Sequence, residues 1–578
     1  MPTLLGKGVR GRRCDYVPLI RAPLKGGANL LPKREKGARS RRAILYAMSI
    51  KQDLQPLVHG EVDVDDASLT HASRDASIFS VRPKAVVHPL NIDDVQAIVK
   101  YATRNDGISL TVRSGGTDMS GGALTDSVVV DMASHINRIG EIHGNSLEIE
   151  PGAFYKDMEK KTSAKNLLMP SYPASKNICT VGGMVNNNAG GEKNLQYGKT
   201  EKYIESLRVV LADAQEYELR PLSLPELKEA MQEKTFLGKA YRATYDLLEK
   251  NYKVIHAARP KVSKNSAGYA LWDVWDRKRF DLTKLFCGSQ GTLGITTNIT
   301  FRLIQPQQHA EMLIVFLDDL ARLGDIINDL KKYRPESIES YDDHTLFLAT
   351  KIMPRSPSLA IQFLPEFRML LIGGIPKLVL IAEFTGSAQG EVTSRLRAAR
   401  AALEKYSLRS RIARNAKDRE KYWHIRRESF NLLRHAHEEK KPAPFIDDFI
   451  VLPQHLPEFL PKLAGILERH KLNYTIAGHA GDGNFHIIPL MNLKDRRQRD
   501  KIPNVMQEVH NLVFQYHGSS TAEHNDGLIR SHALPQMFGP EIMTVFEQTK
   551  HIFDPKGIFN PGKKVHADWQ WAQRHITG

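Results

Sequence analysis

Two histidines seven residues apart set the first chemical expectation, in Tyr474-Thr-Ile-Ala-Gly-His479-Ala-Gly-Asp-Gly-Asn-Phe-His486-Ile-Ile-Pro. The flanking stretches read as strands, and Gly481, Asp482 and Gly483 supply a tight turn between them. Such a hairpin brings both imidazoles together near the strand ends, where they make good ligands for Zn²⁺ or Mn²⁺. Glu523, in Thr521-Ala-Glu523-His524-Asn-Asp-Gly527, offers a harder third ligand. The chain has 22 histidines, so a pair at this spacing also arises by chance. Spacing alone leaves ligands and structural rings as open alternatives.

A second kind of chemistry resides in three glycine-rich segments. The first is Arg113-Ser-Gly-Gly-Thr-Asp-Met-Ser-Gly-Gly122, directly after a strand. The second is Thr180-Val-Gly-Gly-Met-Val-Asn-Asn-Asn-Ala-Gly-Gly191, followed by Gln196-Tyr-Gly198. The third is Cys287-Gly-Ser-Gln-Gly-Thr-Leu-Gly294. Glycine lets backbone approach a ligand closely, and successive free N–H groups form nests for anions such as a pyrophosphate. A single segment of this kind is most often just a turn. None fits G-x-G-x-x-G or the Walker A pattern, which disfavours the usual nicotinamide fold and the P-loop.

The elements that must position these residues read as α/β from about residue 82. A helix is expected at 95–102 and strands at 109–113, 127–132 and 146–150. The run Leu207-Arg-Val-Val-Leu-Ala-Asp-Ala is a strand ending in a turn, and 221–253 reads as helices. After Pro306, apolar strands at 312–316 and 377–384 alternate with amphipathic helices at 317–333 and 387–405, an α+β layer. The stretch 367–384 contains Arg368, Pro376, Lys377 and Glu383, so it reads as two buried strands and a turn, not a membrane span. Residues 540–564 return to a helix with a Pro/Gly-rich end.

Composition bounds the possibilities. With 578 residues, 41% hydrophobic and 25% charged, the chain has the make-up of a globular protein of two to four domains. Cys14, Cys179 and Cys287 cannot build a disulfide framework and lack the spacing for zinc or an iron–sulfur cluster. A reducing, cytoplasmic compartment is expected. Electron transfer then needs an organic cofactor or a metal on oxygen and nitrogen ligands. The net charge of +16 is concentrated in residues 1–47, which hold twelve Lys and Arg against two acids. The folded body is therefore not expected to bind nucleic acid. Residues 1–49 read as a basic, disordered extension. A targeting segment, an electrostatic arm for membrane or nucleic acid, and translation starting at Met48 stay open for it.

Taken together and in this order, the three glycine segments resemble the FAD-binding domain of the vanillyl-alcohol oxidase / p-cresol methylhydroxylase (PCMH-type) family. Pro170-Ser-Tyr-Pro-Ala-Ser175, Lys264-Asn-Ser-Ala-Gly-Tyr269 and Phe559-Asn-Pro-Gly-Lys563 extend the resemblance, which covers about 55–566. It implies FAD contacts from Arg113, Ser114, Gly115, Gly116, Thr117 and Asp118 in the first loop. Pro173, Ser175, Thr180, Gly182, Gly183, Asn188, Gly190, Gly191 and Gly198 are implied around the second. Gly288, Gly291, Thr292, Gly294, Ile295 and Asn560 complete the set. Gln290 departs from the family's usual Glu. Thr117 stands where covalent members carry a flavin-linking His, so noncovalent FAD is expected.

His-x-Gly-Asp-Gly-Asn-x-His with the Glu523-His524 pair resembles the D-lactate and D-2-hydroxyglutarate dehydrogenase branch, whose partner subunits include glycolate-oxidase-like flavoproteins. That resemblance implies His479, His486 and Glu523 on a divalent metal, Zn or Mn, and His524 as general base. Trp423-His-Ile-Arg426 resembles the family's Trp-x-x-Arg element, so Arg426 is implied as the clamp for a substrate carboxylate. A surface arginine is the alternative. The family's downstream substrate Lys is not matched: Asp447-Asp448 stand there, with Lys440 or Lys441 as substitutes.

The expected fold is α+β. A two-subdomain PCMH-type FAD domain spans 50–306, a cap with an antiparallel sheet spans 307–530, and 531–578 packs back on the FAD domain. The expected activity is oxidation of a small D-2-hydroxy acid to its 2-oxo acid. Electrons would leave to a quinone, a cytochrome or a separate electron-transfer protein, because no cysteine-rich iron–sulfur region follows. Peripheral membrane contact and a homodimer stay open. The rival readings are a redox-neutral alkyl-dihydroxyacetone-phosphate-synthase-like flavoenzyme, an accessory flavin subunit of a glycolate-oxidase-like complex and, most weakly, a nucleic-acid-binding protein.

Overall fold

The computed structural model describes residues 47–346, 374–413, 415–435 and 440–577, with side chains of 428–435 outside the description. The basic extension and residues 367–373 of the expected strand pair lie outside the described residues.

A short sheet begins the flavin-binding half. Its strands run in the order Glu61–Asp63, Ala85–His88, Val128–Asp131 and Leu110–Arg113. The last three are parallel neighbours, which requires crossovers such as the helix Ile92–Arg104. Asn91 starts that helix by accepting the Asp94 N–H, and Asp93 and Asp94 suit the positive end of its dipole. Val95, Ile98, Val99 and Ala102 recur at helical spacing and bury against Val87, Val128 and Val130. The strand Leu110–Arg113 delivers its last residue to the first glycine loop.

The second sheet is five-stranded and antiparallel, ordered Ile139–His143, Ser146–Ile149, Ile295–Arg302, Ile204–Val210 and Glu216–Leu219. Its strand Ile295–Arg302 leaves directly from the third glycine loop.

The third sheet has eight strands. Arg409–Ile412, His309–Leu317, Leu378–Gly386, Ser337–Asp342, Asn473–His479, Asn484–Met491 and Lys441–Pro442 follow in order, and Phe449–Ile450 also pairs with Asn484–Met491. Every listed pairing is antiparallel, as an α+β cap sheet requires. The strand His309–Leu317 runs apolar without alternation because both faces are covered. Leu313, Val315 and Leu317 meet one layer of helices, including Leu323–Lys331 and Leu456–Arg469. Met312, Ile314 and Phe316 meet Tyr422, Trp423 and Ile425 of the helix Ala416–His435. That double burial also corrects one boundary. The expected helix at 317–333 starts only at Leu323, since Leu317 completes the strand.

Residues near 560 return to the flavin half. Phe559 bridges to Leu110, and Asn560 accepts from Thr111 Oγ1 at 3.0 Å. The preceding helix Leu534–Phe553 is kinked at Gly539, whose φ of 77° is a left-handed value ahead of Pro540.

Candidate active site

The three glycine loops form one body. Gly288 N donates to Val185 O at 2.9 Å, and Gln290 N donates to Asn186 O at 2.9 Å. Asn187 Nδ2 donates to Asp118 Oδ1 at 3.3 Å, tying the second loop to the first. Asn560 Nδ2 donates to Gly122 O and to Gln290 O, at 2.9 and 2.7 Å. Gln290 explains its own departure from Glu. Its Nε2 donates to Ser120 Oγ and its Oε1 accepts from Gly527 N, so both halves of the amide are used.

These loops suit a phosphate-bearing cofactor on a direct observation. Arg113 Nη1, Thr180 Oγ1 and Ser289 Oγ are buried without a hydrogen-bond partner among the described residues. One comes from each loop. Buried polar atoms are seldom left unpaired, and three donors on three converging loops match an anionic group between them.

The metal-type residues meet on the face of the cap sheet opposite its helical layer. Register places Ala477 across from His486 and Asn484 across from His479, so the two histidines are diagonal neighbours on one face. Gly483 turns the hairpin with φ of 78°, where a Cβ would fall 1.9 Å from Val451 O. His479 Nε2 lies 2.9 Å and His486 Nε2 3.4 Å from the same oxygen, Glu523 Oε1. Two imidazole nitrogens and a carboxylate oxygen at such separations could share one divalent ion at the usual ~2.0–2.2 Å bond lengths.

The other ring nitrogens are held from behind. Glu339 Oε1 lies 2.6 Å from His479 Nδ1. Asp447 Oδ1 lies 3.1 Å from His486 Nδ1, and its Oδ2 lies 2.5 Å from His524 Nδ1. The rings of His486 and His524 stack 4.9 Å apart. Ligand atoms of Asp448, His486, Glu523 and His524 also fall within 4.8 Å of one another. Asp448 is a poor ligand all the same, because its Oδ2 already accepts from Thr521 Oγ1 and from the N–H groups of Ala522, Glu523 and His524. Its work is to fold the 521–524 turn.

Charge accounts for the titration of the cluster. Burial raises the Glu523 carboxyl, yet His479 and Lys264 hold it well below its ordinary value. Burial works against a charged His486, but Asp447 and Glu523 push it up to about 10. His524 is likewise raised, by Asp447 and Asp448 against burial. The carboxylates Glu339, Asp447, Asp448 and Glu523 converge on the rings and suit a dication, which reverses this logic and favours neutral imidazoles.

Arg426 reaches this face from the helix Ala416–His435, and its Nε donates to Glu339 Oε2 at 2.9 Å. It is thus joined through Glu339 to His479. Lys440 and Lys441 are not substitutes for the unmatched lysine. Lys441 pairs with Met491, five residues beyond His486 and about 17 Å along the strand. Sequence reasoning passed over Glu339, Lys264 and the positioning work of Asp447 and Asp448. A lone acid inside an apolar strand, as in Ser337–Asp342, was the available signal for Glu339.

The two halves of the site touch at Gly190. A Cβ there would lie 2.6 Å from Glu523 Oε2. Lys199, at the end of the second loop, donates to Ala522 O at 2.7 Å, and Asn525 Nδ2 reaches Gly288 O at 2.9 Å. The hairpin cluster therefore sits against the flavin loops.

Two family models match this chain. Residues 83–220 match an FAD binding domain, and residues 306–564 match the FAD linked oxidases, C-terminal domain. The chain belongs to the FAD-linked oxidases. This oxidase is 29% identical over 518 residues to D-2-hydroxyglutarate dehydrogenase of Pseudomonas putida, covering 87% of the chain and 50% of the relative. It is 28% identical over 519 residues to the Escherichia coli protein of that name, again 87% and 50%. The chain thus spans about half the length of these curated relatives. It is 24% identical to glycolate oxidase subunit GlcD of Bacillus subtilis over 526 residues, 88% of the chain and 96% of the relative. The oxidase shares its fold with p-cresol methylhydroxylase with substrate bound (TM-score 0.63, 16% identity, 91% and 97% covered). It shares it also with alkyldihydroxyacetonephosphate synthase (TM-score 0.61, 16% identity, 86% and 83% covered). This FAD-linked oxidase binds FAD through the loops at 113–122, 180–198 and 287–295. No described helix is long and apolar enough to cross a membrane.

Proposed function

We propose that the chain oxidises a D-2-hydroxy acid, of the D-lactate or D-2-hydroxyglutarate type, to its 2-oxo acid. The observation that carries this reading is the meeting of His479, His486, Glu523 and His524 with the flavin loops at Gly190. Relatives named for D-2-hydroxyglutarate oxidation support the substrate class.

Bound FAD, held noncovalently with Thr117 in the first loop, supplies the hydride acceptor. His479, His486 and Glu523 hold a divalent cation, Zn or Mn, which supplies Lewis acidity at the substrate oxygens. His524 takes the hydroxyl proton on Nε2, because Asp447 occupies its Nδ1. Arg426, steadied by Glu339, faces the substrate carboxylate. Lys264 donates to Glu523 Oε2 at 2.8 Å and keeps that carboxylate ionised and fixed. Residues 50–306 with 531–578 form the flavin domain and 307–530 the cap, a division supported by the three sheets. Electrons then pass to a quinone, a cytochrome or a separate electron-transfer protein.

The test is anaerobic bleaching of the flavin with a panel of D- and L-2-hydroxy acids. Bleaching by D-acids is expected. No bleaching by any member refutes the reading and favours a redox-neutral flavoenzyme or an accessory subunit.

A further inference from the structure

The segment after the second flavin loop is pinned at nearly every residue. Glu192 pairs with Arg427 at 2.8 Å, and Lys193 pairs with buried Glu336 at 3.0 Å. Leu195 packs against the cap core. Asn194 sits among them, 6% exposed, and its backbone N–H and C=O bond to Gly191 and Gly198. Its side chain is the exception. Neither Oδ1 nor Nδ2 has a hydrogen-bond partner among the described residues.

Burying both ends of an amide unpaired is costly, and folded proteins keep such groups only where something else offsets the cost. A leucine would fill similar space with no polar atom to satisfy. The location says what the amide is for. A Cβ on Gly190 would fall 2.1 Å from Asn194 Nδ2 and 2.6 Å from Glu523 Oε2. The bare face of Gly190 thus lies between the amide and the carboxylate that joins His479 and His486.

We infer that Asn194 is a substrate-contacting residue, whose Nδ2 donates to a carboxylate oxygen of the acid seated beside Glu523. This rests on the function proposed above and adds a recognition residue to it. The neutral amide can donate there without adding another charge, in a place where Lys264 already compensates Glu523. Acid at this position would instead repel an anionic substrate.

Asn194→Leu and Asn194→Asp holoenzymes test this by stopped-flow flavin reduction with D-lactate and D-2-hydroxyglutarate, together with thermal melts. Asn194→Leu is expected to raise the substrate Kd about 10- to 100-fold, the worth of one hydrogen bond to a charged group, with the limiting rate little changed. Its ligand-free Tm should equal or exceed that of the parent. Asn194→Asp should weaken binding further. An unchanged Kd in Asn194→Leu overturns the inference. So does a melt several degrees lower, which would give the amide a structural partner, or flavin loss at unchanged Kd, which would assign it to the cofactor. If the parent is reduced by no 2-hydroxy acid, the functional reading fails instead, and a lower Asn194→Leu melt still overturns the amide's assignment.

Discussion

Oδ2 of Asp447 lies 2.5 Å from Nδ1 of His524. Its other oxygen takes His486, so one buried carboxylate sets the tautomer of two rings whose Nε2 atoms face the reaction. Asp447→Asn can donate to Nδ1 and move the ring proton to Nε2, the wrong atom for a base or a ligand. Flavin reduction should slow by about 10²–10⁴-fold with FAD content unchanged. Asp447→Glu should restore part of the rate. Stopped-flow measurements on both variants decide it.

His524→Ala should lower kcat and kcat/KM together, the sign of an interaction made mainly in the transition state. A loss of about 10²–10⁴-fold corresponds to roughly 3–5 kcal/mol. Arg426→Ala should raise the substrate Kd instead. If His524→Ala reduces flavin at the parent rate, the base lies elsewhere.

Chelation, or His479→Ala, should remove bound divalent metal and slow flavin reduction while FAD stays in place. Elemental analysis beside the flavin spectrum checks both halves. Full activity in metal-free protein would make the histidine pair structural.

Acid or heat should release intact FAD into the supernatant. The motive is Thr117 in the first loop, where a histidyl link would otherwise form. Flavin remaining on the precipitate would show a covalent bond.

Acid stability should depend on His510 and His532. Burial lowers His510 to about 3, with His532 and Arg530 adding to it, and burial lowers His532 to about 4. The unfolded rings titrate near 6.5. Below pH 6.5 the unfolded chain therefore binds protons the fold refuses, so stability falls with pH down to those depressed values, by up to about 1.4 kcal/mol per ring and pH unit. Asp75, raised to about 7 by burial and Asp118, works in the opposite direction. His510→Phe should flatten the decline between pH 6 and 4 in chemical denaturation.

The flavin loops and the histidine hairpin were legible because their chemistry needs rare residue types in a fixed local order. Glycines at 115–116, 182–183 and 288–294 and the turn at 481–483 carry that order within a few residues each. Asp447, Glu339 and Asn194 were not, because their roles come from partners 77, 140 and several hundred residues away, and a single polar residue has no period. The cap sheet was visible as apolar runs, whereas the end of His309–Leu317 was not. An unbroken apolar stretch hides where a doubly covered strand gives way to a helix.

Asn560 bonds to Thr111, 449 positions earlier, and also to the first and third glycine loops. On the ribosome the strand Leu110–Arg113 emerges long before its partner. At about 5–20 residues per second, the 449 positions between Thr111 and Asn560 take roughly 20–90 s to synthesise. Throughout that interval the cradle lacks the residue that laces its loops, and its nascent parallel strands must be kept from mispairing. Cofactor capture is thus a late event in the making of this protein, and chaperone supply, as much as flavin supply, sets the yield of loaded enzyme.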